Sequence, residues 1–238
     1  MKAFFDKHPV LFTILLFLIS MIAVVPFSIF SPAAWPDSFS ISIGRILVAM
    51  VLMFLFRSCI RMENSFKAVR LLPVPLLIPL WNIAYHVLTN CGQLVSFGSP
   101  IIIAFVCALA PAVFEETIFR AIQIDRLKKS GKDATAVLLI SSAVFAAVHL
   151  TNIAGMTPVN VLVQIVYSFV IGFLLGAIYI RTEDFASVVL IHFLIDFSNQ
   201  IFANSPAVSP VYMIPVFLAI LAIETWWAWN FFRKAEAT

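Results

Sequence analysis

Ile101-Ile-Ile-Ala-Phe-Val-Cys-Ala-Leu-Ala-Pro-Ala-Val-Phe-Glu-Glu-Thr-Ile-Phe-Arg-Ala-Ile122 is apolar along most of its length, yet it carries adjacent acids, Glu115 and Glu116, with Arg120 one helical turn further on. A membrane helix needs about 20 mostly apolar residues to cross a hydrocarbon core of about 30 Å, and this stretch meets that requirement. Ionisable groups in a bilayer cost about 2.5 to 3.5 kcal/mol each on insertion scales. The stretch therefore reads as a membrane helix whose charges demand a partner, a watery cavity or a function.

The rest of the chain agrees. Of its 238 residues 62% are hydrophobic and 11% charged, with a mean hydropathy of +1.04, whereas a soluble domain is about half apolar and about a quarter charged. A water-soluble domain is excluded. Apolar runs recur to both ends with no long polar segment between them, so one membrane domain, 1–238, is expected. The formal charge of +3 and pI of 8.9 come from basic residues in short clusters between apolar runs. That pattern reports membrane topology, with lipid rather than nucleic acid as the surrounding partner. Cys59, Cys91 and Cys107 are isolated and odd in number, which suggests neither a disulfide framework nor a CxxC site; buried thiols are expected.

The fold class expected is all-α, a polytopic bundle of about eight membrane helices. The spans run Val10 to Phe30, Ser40 to Phe56, Leu71 to Leu88, Ile101 to Ile122, Ala134 to Leu150, Val159 to Ile180, Phe185 to Phe202 and Val211 to Phe232. Pro32, Pro36, Gly92, Pro100, Gly131, Gly155, Pro158, Pro206 and Pro210 fall in or beside the gaps, as helix breakers should. The first run is too long for a signal-peptide core of about 7 to 15 residues and reads as a retained span.

Basic residues test that count independently of hydropathy. Lys2 and Lys7 precede the first span; Arg57, Arg61, Lys67 and Arg70 fill the second connection; Arg126, Lys128, Lys129 and Lys132 fill the fourth; Arg181 marks the sixth; Arg233 and Lys234 follow the last span. The odd connections hold none, so the positive-inside rule puts both termini in the cytoplasm, and a compact chain of this kind suits a prokaryotic plasma membrane. Arg45 alone breaks the pattern, and a structural role is expected for it, by snorkelling or pairing with a carboxylate. Gly172 and Gly176 form a GxxxG that allows close helix approach, expected within the molecule rather than between copies.

Three polar sites stand out inside the spans. Glu116 and Arg120 share a helix face four positions apart, acid first, and can pair. Glu115 lies roughly 140° from Arg120 around the helix and is the freer carboxylate. A desolvated Glu suits general acid and base work near neutrality, although acids near a watery interface could serve packing alone. Pro111, one turn earlier, fits a kink that helps open a cavity. In Phe145-Ala-Ala-Val-His149 the phenyl ring sits one turn from the imidazole, where it can fix the imidazole's orientation; a lone His of this kind can equally be structural, as His86 is expected to be, while His8 is expected at the interface. In His192-Phe-Leu-Ile-Asp196 both polar groups again point the same way. Together, one Glu, two His and an Asp on three helices could converge on one water molecule. Zinc HExxH helices, GxSxG elbows, GxGD aspartyl pairs and phosphate-binding glycine loops are all missing from the sequence, which removes the other common chemistries.

Glu115-Glu116-Thr-Ile-Phe-Arg120, Phe145-Ala-Ala-Val-His149 and His192-Phe-Leu-Ile-Asp196 resemble, in order and spacing, the three motifs of the CAAX protease and bacteriocin-processing family of intramembrane peptidases, to which the CAAX prenyl endopeptidase belongs. The resemblance covers a catalytic core of about 99–204. It implies an endopeptidase acting on membrane-associated peptides or proteins, with Glu115 and His149 activating water and with His192 and Asp196 stabilising the oxyanion; Glu116, Arg120 and Phe145 would support them. The family usually has Asn or Asp at the last position. An ionised Asp would repel an oxyanion, so Asp196 must be protonated, orient His192 or bind a metal. Family members are described both as metalloproteases and as metal-free glutamate enzymes. Zn2+ on His149, His192 and Glu115 or Asp196 and direct polarisation of water both stay open.

Two other functions remain at this point: a noncatalytic membrane partner or immunity protein, and a proton-coupled transporter, since intramembrane Glu and His also build proton relays. Straight spans would also leave Glu115 and His149 at different depths, by ~10 to 15 Å at 1.5 Å per residue. Contact between them requires that the hairpin from Arg120 to Asp133 project as helical extensions, with Thr151 to Pro158 partly buried around the cavity.

Overall fold

The computed structural model describes residues 2–61, 66–71, 73–89, 92–96, 98–204 and 213–234. Among these the helices are α1 (Lys2–Lys7), α2 (Pro9–Ile29), α3 (Asp37–Leu55), α4 (Leu77–Leu88), α5 (Ser99–Glu116), α6 (Gln123–Lys129), α7 (Ala134–Ala147), α8 (Pro158–Thr182), α9 (Phe185–Gln200) and α10 (Met213–Arg233). A π-helical turn, Thr117–Ile122, joins α5 to α6, and a 3-10 stretch, Val148–Ala154, extends α7. Pairing of extended backbone among the described residues is confined to one bridge, Leu94 to Phe202.

Among the described residues six helical segments are long and apolar enough to cross a membrane: Pro9–Ile29, Asp37–Leu55, Ser99–Lys129, Ala134–Ala154, Pro158–Thr182 and Met213–Arg233. The protein is an integral membrane protein. The other two expected spans appear as shorter apolar helices, α4 and α9. Pro73 and Pro75 explain the first shortening: proline lacks an amide donor and clashes with the preceding turn, so residues 73–76 form turns and the helix begins only at Leu77. Val211 and Tyr212, at the start of the last expected span, lie outside the described residues.

The basic connections gather at one end of the bundle. Arg126 pairs with Asp6, Lys128 with Glu183 and Lys129 with Asp125, while Cys59 donates to Asp125 and Phe185 N to Arg61 O. Burial and the neighbouring Asp125 push the Cys59 thiol up from its ordinary range. At the far end of α9, Val95 N donates to Ile201 O and Ala203 N to Gln93 O. The length of α9, 16 residues or about 24 Å, separates the two sets.

Asp184 locks the first end. Its carboxylate caps α9 by accepting from Ser187 N and Oγ, and it reaches across to Phe66 N and Ala68 N. Burial alone would push this carboxyl up, but the four donors outweigh burial and hold it below the ordinary carboxylate range. A depressed folded-state pKa adds stability that is present above the unfolded value of about 3.9 and is lost as pH falls through the folded value. Asp184→Ala is therefore expected to cost about 2 kcal/mol at pH 7, from a lost cap and charge-assisted hydrogen bonds. Thermal unfolding of the detergent-solubilised protein should show the gap to wild type closing below about pH 4; a gap independent of pH contradicts this role.

The core is built around the continuous Ser99–Lys129 helix, where Phe114, Ile118, Phe119, Ile122 and Leu127 are fully buried among α2, α7 and α8. Gly172 and Gly176 of α8 face α7, as the GxxxG predicts for packing within one molecule. A Cβ at Gly172 would meet the Phe145 ring at 3.0 Å, and one at Gly176 would meet Leu138 at 2.9 Å. Glycine here lets α8 approach closely enough to hold Phe145 in place. The sharp reversal into α7 uses Gly131 at φ +81°, a conformation costly for residues with a Cβ, and Asp133 caps α7 by accepting from Ala136 N.

The hairpin expected to project is helical through Lys129, but Arg120 to Ile124 and Leu127 are buried within the bundle and only residues 128–133 are exposed. The apolar residues of this extension pack against α2 and α7, which the reading of it as a free projection did not allow for. Of Thr151 to Pro158, Thr151 and Asn152 line the central cavity and residues 153–158 are exposed.

Candidate active site

The central cavity, of about 250 Å³, lies among α2, α3, α5, α7, α8 and α9. Glu115, His149, His192 and Asp196 all line it. Three separate helical segments, weakly marked one by one in the sequence, thus present their polar groups to one space. Phe145 and Pro111 also face it, Pro111 from within α5.

Glu116 turns the other way. Its side chain is completely buried; Oε2 lies 3.0 Å from Arg120 Nε, and Oε1 lies 2.8 Å from His192 Nδ1. The expected pairing with Arg120 is therefore present, and a second partner, His192, comes with it. Arg120 is capped by the face of Phe145, its guanidinium carbon 4.3 Å from the ring centroid. The π-helical turn begins directly after Glu116, and all six of its residues are buried. Its wider winding keeps Arg120 against Glu116 while α5 delivers Glu115 to the cavity, a use of π turns that recurs at functional sites.

The two imidazoles are fixed differently. His149 Nδ1 lies 2.8 Å from the carbonyl oxygen of Phe145. A carbonyl only accepts, so Nδ1 carries the hydrogen and Nε2 is the nitrogen able to take a proton. Phe145 packs edge-on against His149, with ring centroids 5.2 Å apart, as its spacing predicts, and touches His192 at 6.2 Å. His192 is almost wholly buried; its Nε2 lies 3.6 Å from Asp196 and 4.0 Å from Glu115. With Glu116 on Nδ1, carboxylates face both ring nitrogens, and only a ring carrying both hydrogens can donate to each side. In the sequence, Asp196 is the near neighbour of His192; in the fold, Glu116 holds it more tightly.

Among the described residues no group of three or more His, Cys, Asp or Glu side chains could hold a metal ion. The zinc set of His149, His192 and Glu115 or Asp196 does not come together as such a group. His192 Nδ1 is bound to Glu116 and His149 Nδ1 to a backbone carbonyl, contacts that orient both rings and fix their hydrogens.

Sequence reasoning missed three polar residues of the cavity wall, Gln164, Tyr167 and Ser168, and did not place Arg45 there. Gln164, Tyr167 and Ser168 sit at helical spacing in α8 and could have been recognised as a polar stripe on an apolar helix. Asn152 donates to Gln164 at 2.9 Å and ties the 3-10 stretch after His149 to α8. Arg45 was expected to snorkel or pair; it faces the cavity, and among the described residues no carboxylate lies within the 4.0 Å of an ion pair. His86 is structural as expected, buried and stacked on Phe202 with centroids 4.2 Å apart.

Fold and site together define a polytopic helical membrane protein with a carboxylate and imidazole centre sunk among its helices. Residues 97–198 match the family model for type II CAAX prenyl endopeptidase Rce1-like proteins. No curated protein and no solved structure matches the chain.

Proposed function

We propose that the protein is an intramembrane endopeptidase of CAAX-protease type that hydrolyses peptide bonds in membrane-associated peptides or proteins. The observation that carries this reading is the shared cavity: Glu115, His149, His192 and Asp196 line one space of a size for water and a short peptide segment. Its core spans about 99–204, within a single membrane domain. The end bearing the basic connections faces the cytoplasm, by the positive-inside rule.

In this reading a water held between Glu115 and His149 attacks the peptide carbonyl. Glu115 accepts its proton, with His149 Nε2 as the second acceptor, and the new C–O bond gives a tetrahedral oxyanion. His192 Nε2–H donates to that oxygen, the site where preorganised donors stabilise a transition state most. Collapse breaks the C–N bond, and Glu115 returns the proton to the leaving nitrogen, so no acyl-enzyme forms. Asp196, beside Nε2 at 3.6 Å, orients His192 rather than donating. Glu116, Arg120 and Phe145 hold the two imidazoles in position.

The test is a comparison of peptide termini in membranes containing wild type or the Glu115→Gln protein. Termini produced with wild type should vanish with the variant, and His149→Ala and His192→Ala should behave likewise. Identical termini in all four membranes would remove the enzymatic reading, and full biological activity of Glu115→Gln would favour a noncatalytic partner protein.

A further inference from the structure

The charges around the cavity balance only when Arg45 is counted. Glu115, Glu116 and Asp196 contribute three negative charges; Arg120 and a His192 carrying both hydrogens contribute two positive ones. Arg45 supplies the third, from α3, outside the segment 97–198 that matches the family model. It lines the same cavity as Glu115 and Asp196, its Nε is buried and has no hydrogen-bond partner among the described residues, and its charge acts on Asp196. A guanidinium is effectively never neutral, and one placed among membrane helices without a close counter-ion needs a reason.

We infer that Arg45 is a positioning residue whose guanidinium completes the charge balance of the cavity and so holds the carboxylates of Asp196 and Glu115 in place. This inference rests on the cavity being the hydrolytic centre proposed above. Without Arg45 the cluster holds one uncompensated negative charge in a medium of low dielectric, where like charges repel strongly. The carboxylates then move apart. A displaced Glu115 is badly placed to take a proton from water, so activity falls although Arg45 touches no reacting atom. The other titratable and charged groups bearing on these carboxylates are His149 on the stretch after α7, Tyr167 on α8, with Glu224 of α10 acting on it, and the Glu116, Arg120 and His192 cluster itself. Only Arg45 among them brings a positive charge not already engaged by a carboxylate.

The inference predicts coupling between Arg45 and Asp196. Arg45→Gln should lower cleavage of a membrane peptide substrate at pH 7 about tenfold or more, and Arg45→Lys should retain most of it. In the Asp196→Asn background, where one negative charge is already gone, Arg45→Gln should cost less than about threefold, a coupling within the range measured for interacting charges. The same cycle read as thermal midpoints of the purified protein does not depend on turnover. Arg45→Gln alone should lower the midpoint by about 4 °C, and adding Asp196→Asn should restore it. If the two substitutions act additively in both readouts, the inference is wrong. If loss of cleavage on Arg45→Gln is reproduced in wild type by amidating the peptide's terminal carboxylate and is not relieved by Asp196→Asn, Arg45 binds substrate and does not balance Asp196. Coupling in the thermal midpoints with no cleavage by wild type would uphold the charge balance and overturn the proposed activity instead.

Discussion

Glu115→Gln is expected to reduce kcat for peptide cleavage by about 1,000-fold or more, the upper range for loss of a positioned general base, while leaving KM nearly unchanged and moving the thermal midpoint by only about as much as loss of the Arg45 charge does. The substitution conserves shape and removes the negative charge and with it the ability to accept a proton. Glu115 holds none of the buried contacts that fix the site. Those belong to Glu116, which pairs with Arg120 and His192, so Glu115 can change without disturbing its neighbours. The nearest contact of Glu115 to His192 is 4.0 Å, too long for a hydrogen bond. Glu115→Asp should retain intermediate activity, since the carboxylate survives but withdraws by one methylene, and displacements of about 1 Å are costly near a reacting atom. Measured with the purified protein and a membrane peptide, Glu115→Gln turnover above about one tenth of wild type would move the base elsewhere, with His149 the next candidate.

That the adjacent glutamates point apart, one to Arg120 and one to the cavity, was readable from the sequence because helical geometry is regular. Four positions put Arg120 beside Glu116, and five put it away from Glu115. The pairing of Phe145 with His149 and the GxxxG contact of α8 followed from the same periodicity. What periodicity could not supply were contacts between distant segments. His192 meets Glu116 across 76 positions of chain, and nothing local to either residue encodes that meeting. Arg45 misled for a related reason: a single charge in a span gives no sign of whether it faces lipid, a carboxylate or a cavity. The shortening of α4 was visible in Pro73 and Pro75, but a hydropathy window averages over prolines and sees only their apolar character. The long Ser99–Lys129 helix was cut short in the sequence reading because Arg126, Lys128 and Lys129 resemble a connection, whereas Asp6, Glu183 and Asp125 neutralise them as the helix continues.

Removal of Glu116 should damage the fold as well as the chemistry. Glu116 is fully buried, Arg120 is 1% exposed and His192 5%, so Glu116→Ala strands two cationic groups away from water. Arg120 would keep the face of Phe145, and among the described residues its two terminal nitrogens already lack hydrogen-bond partners. Breaking a buried ion pair by deleting one partner costs about 3 to 5 kcal/mol, because the remaining charge is uncompensated. A loss of that size in the unfolding free energy, together with loss of cleavage, is the expected result for Glu116→Ala. Replacing both partners by apolar groups is a different perturbation and is often neutral or stabilising. The double substitution Glu116→Leu with Arg120→Met should therefore recover most of the thermal midpoint. It should recover little of the activity, since His192 Nδ1 would still have lost the carboxylate that fixes its ring. A variant regaining both would show that the triad of Glu116, Arg120 and His192 serves packing alone. Recovery of stability without turnover would separate the structural role of the pair from the positioning of His192.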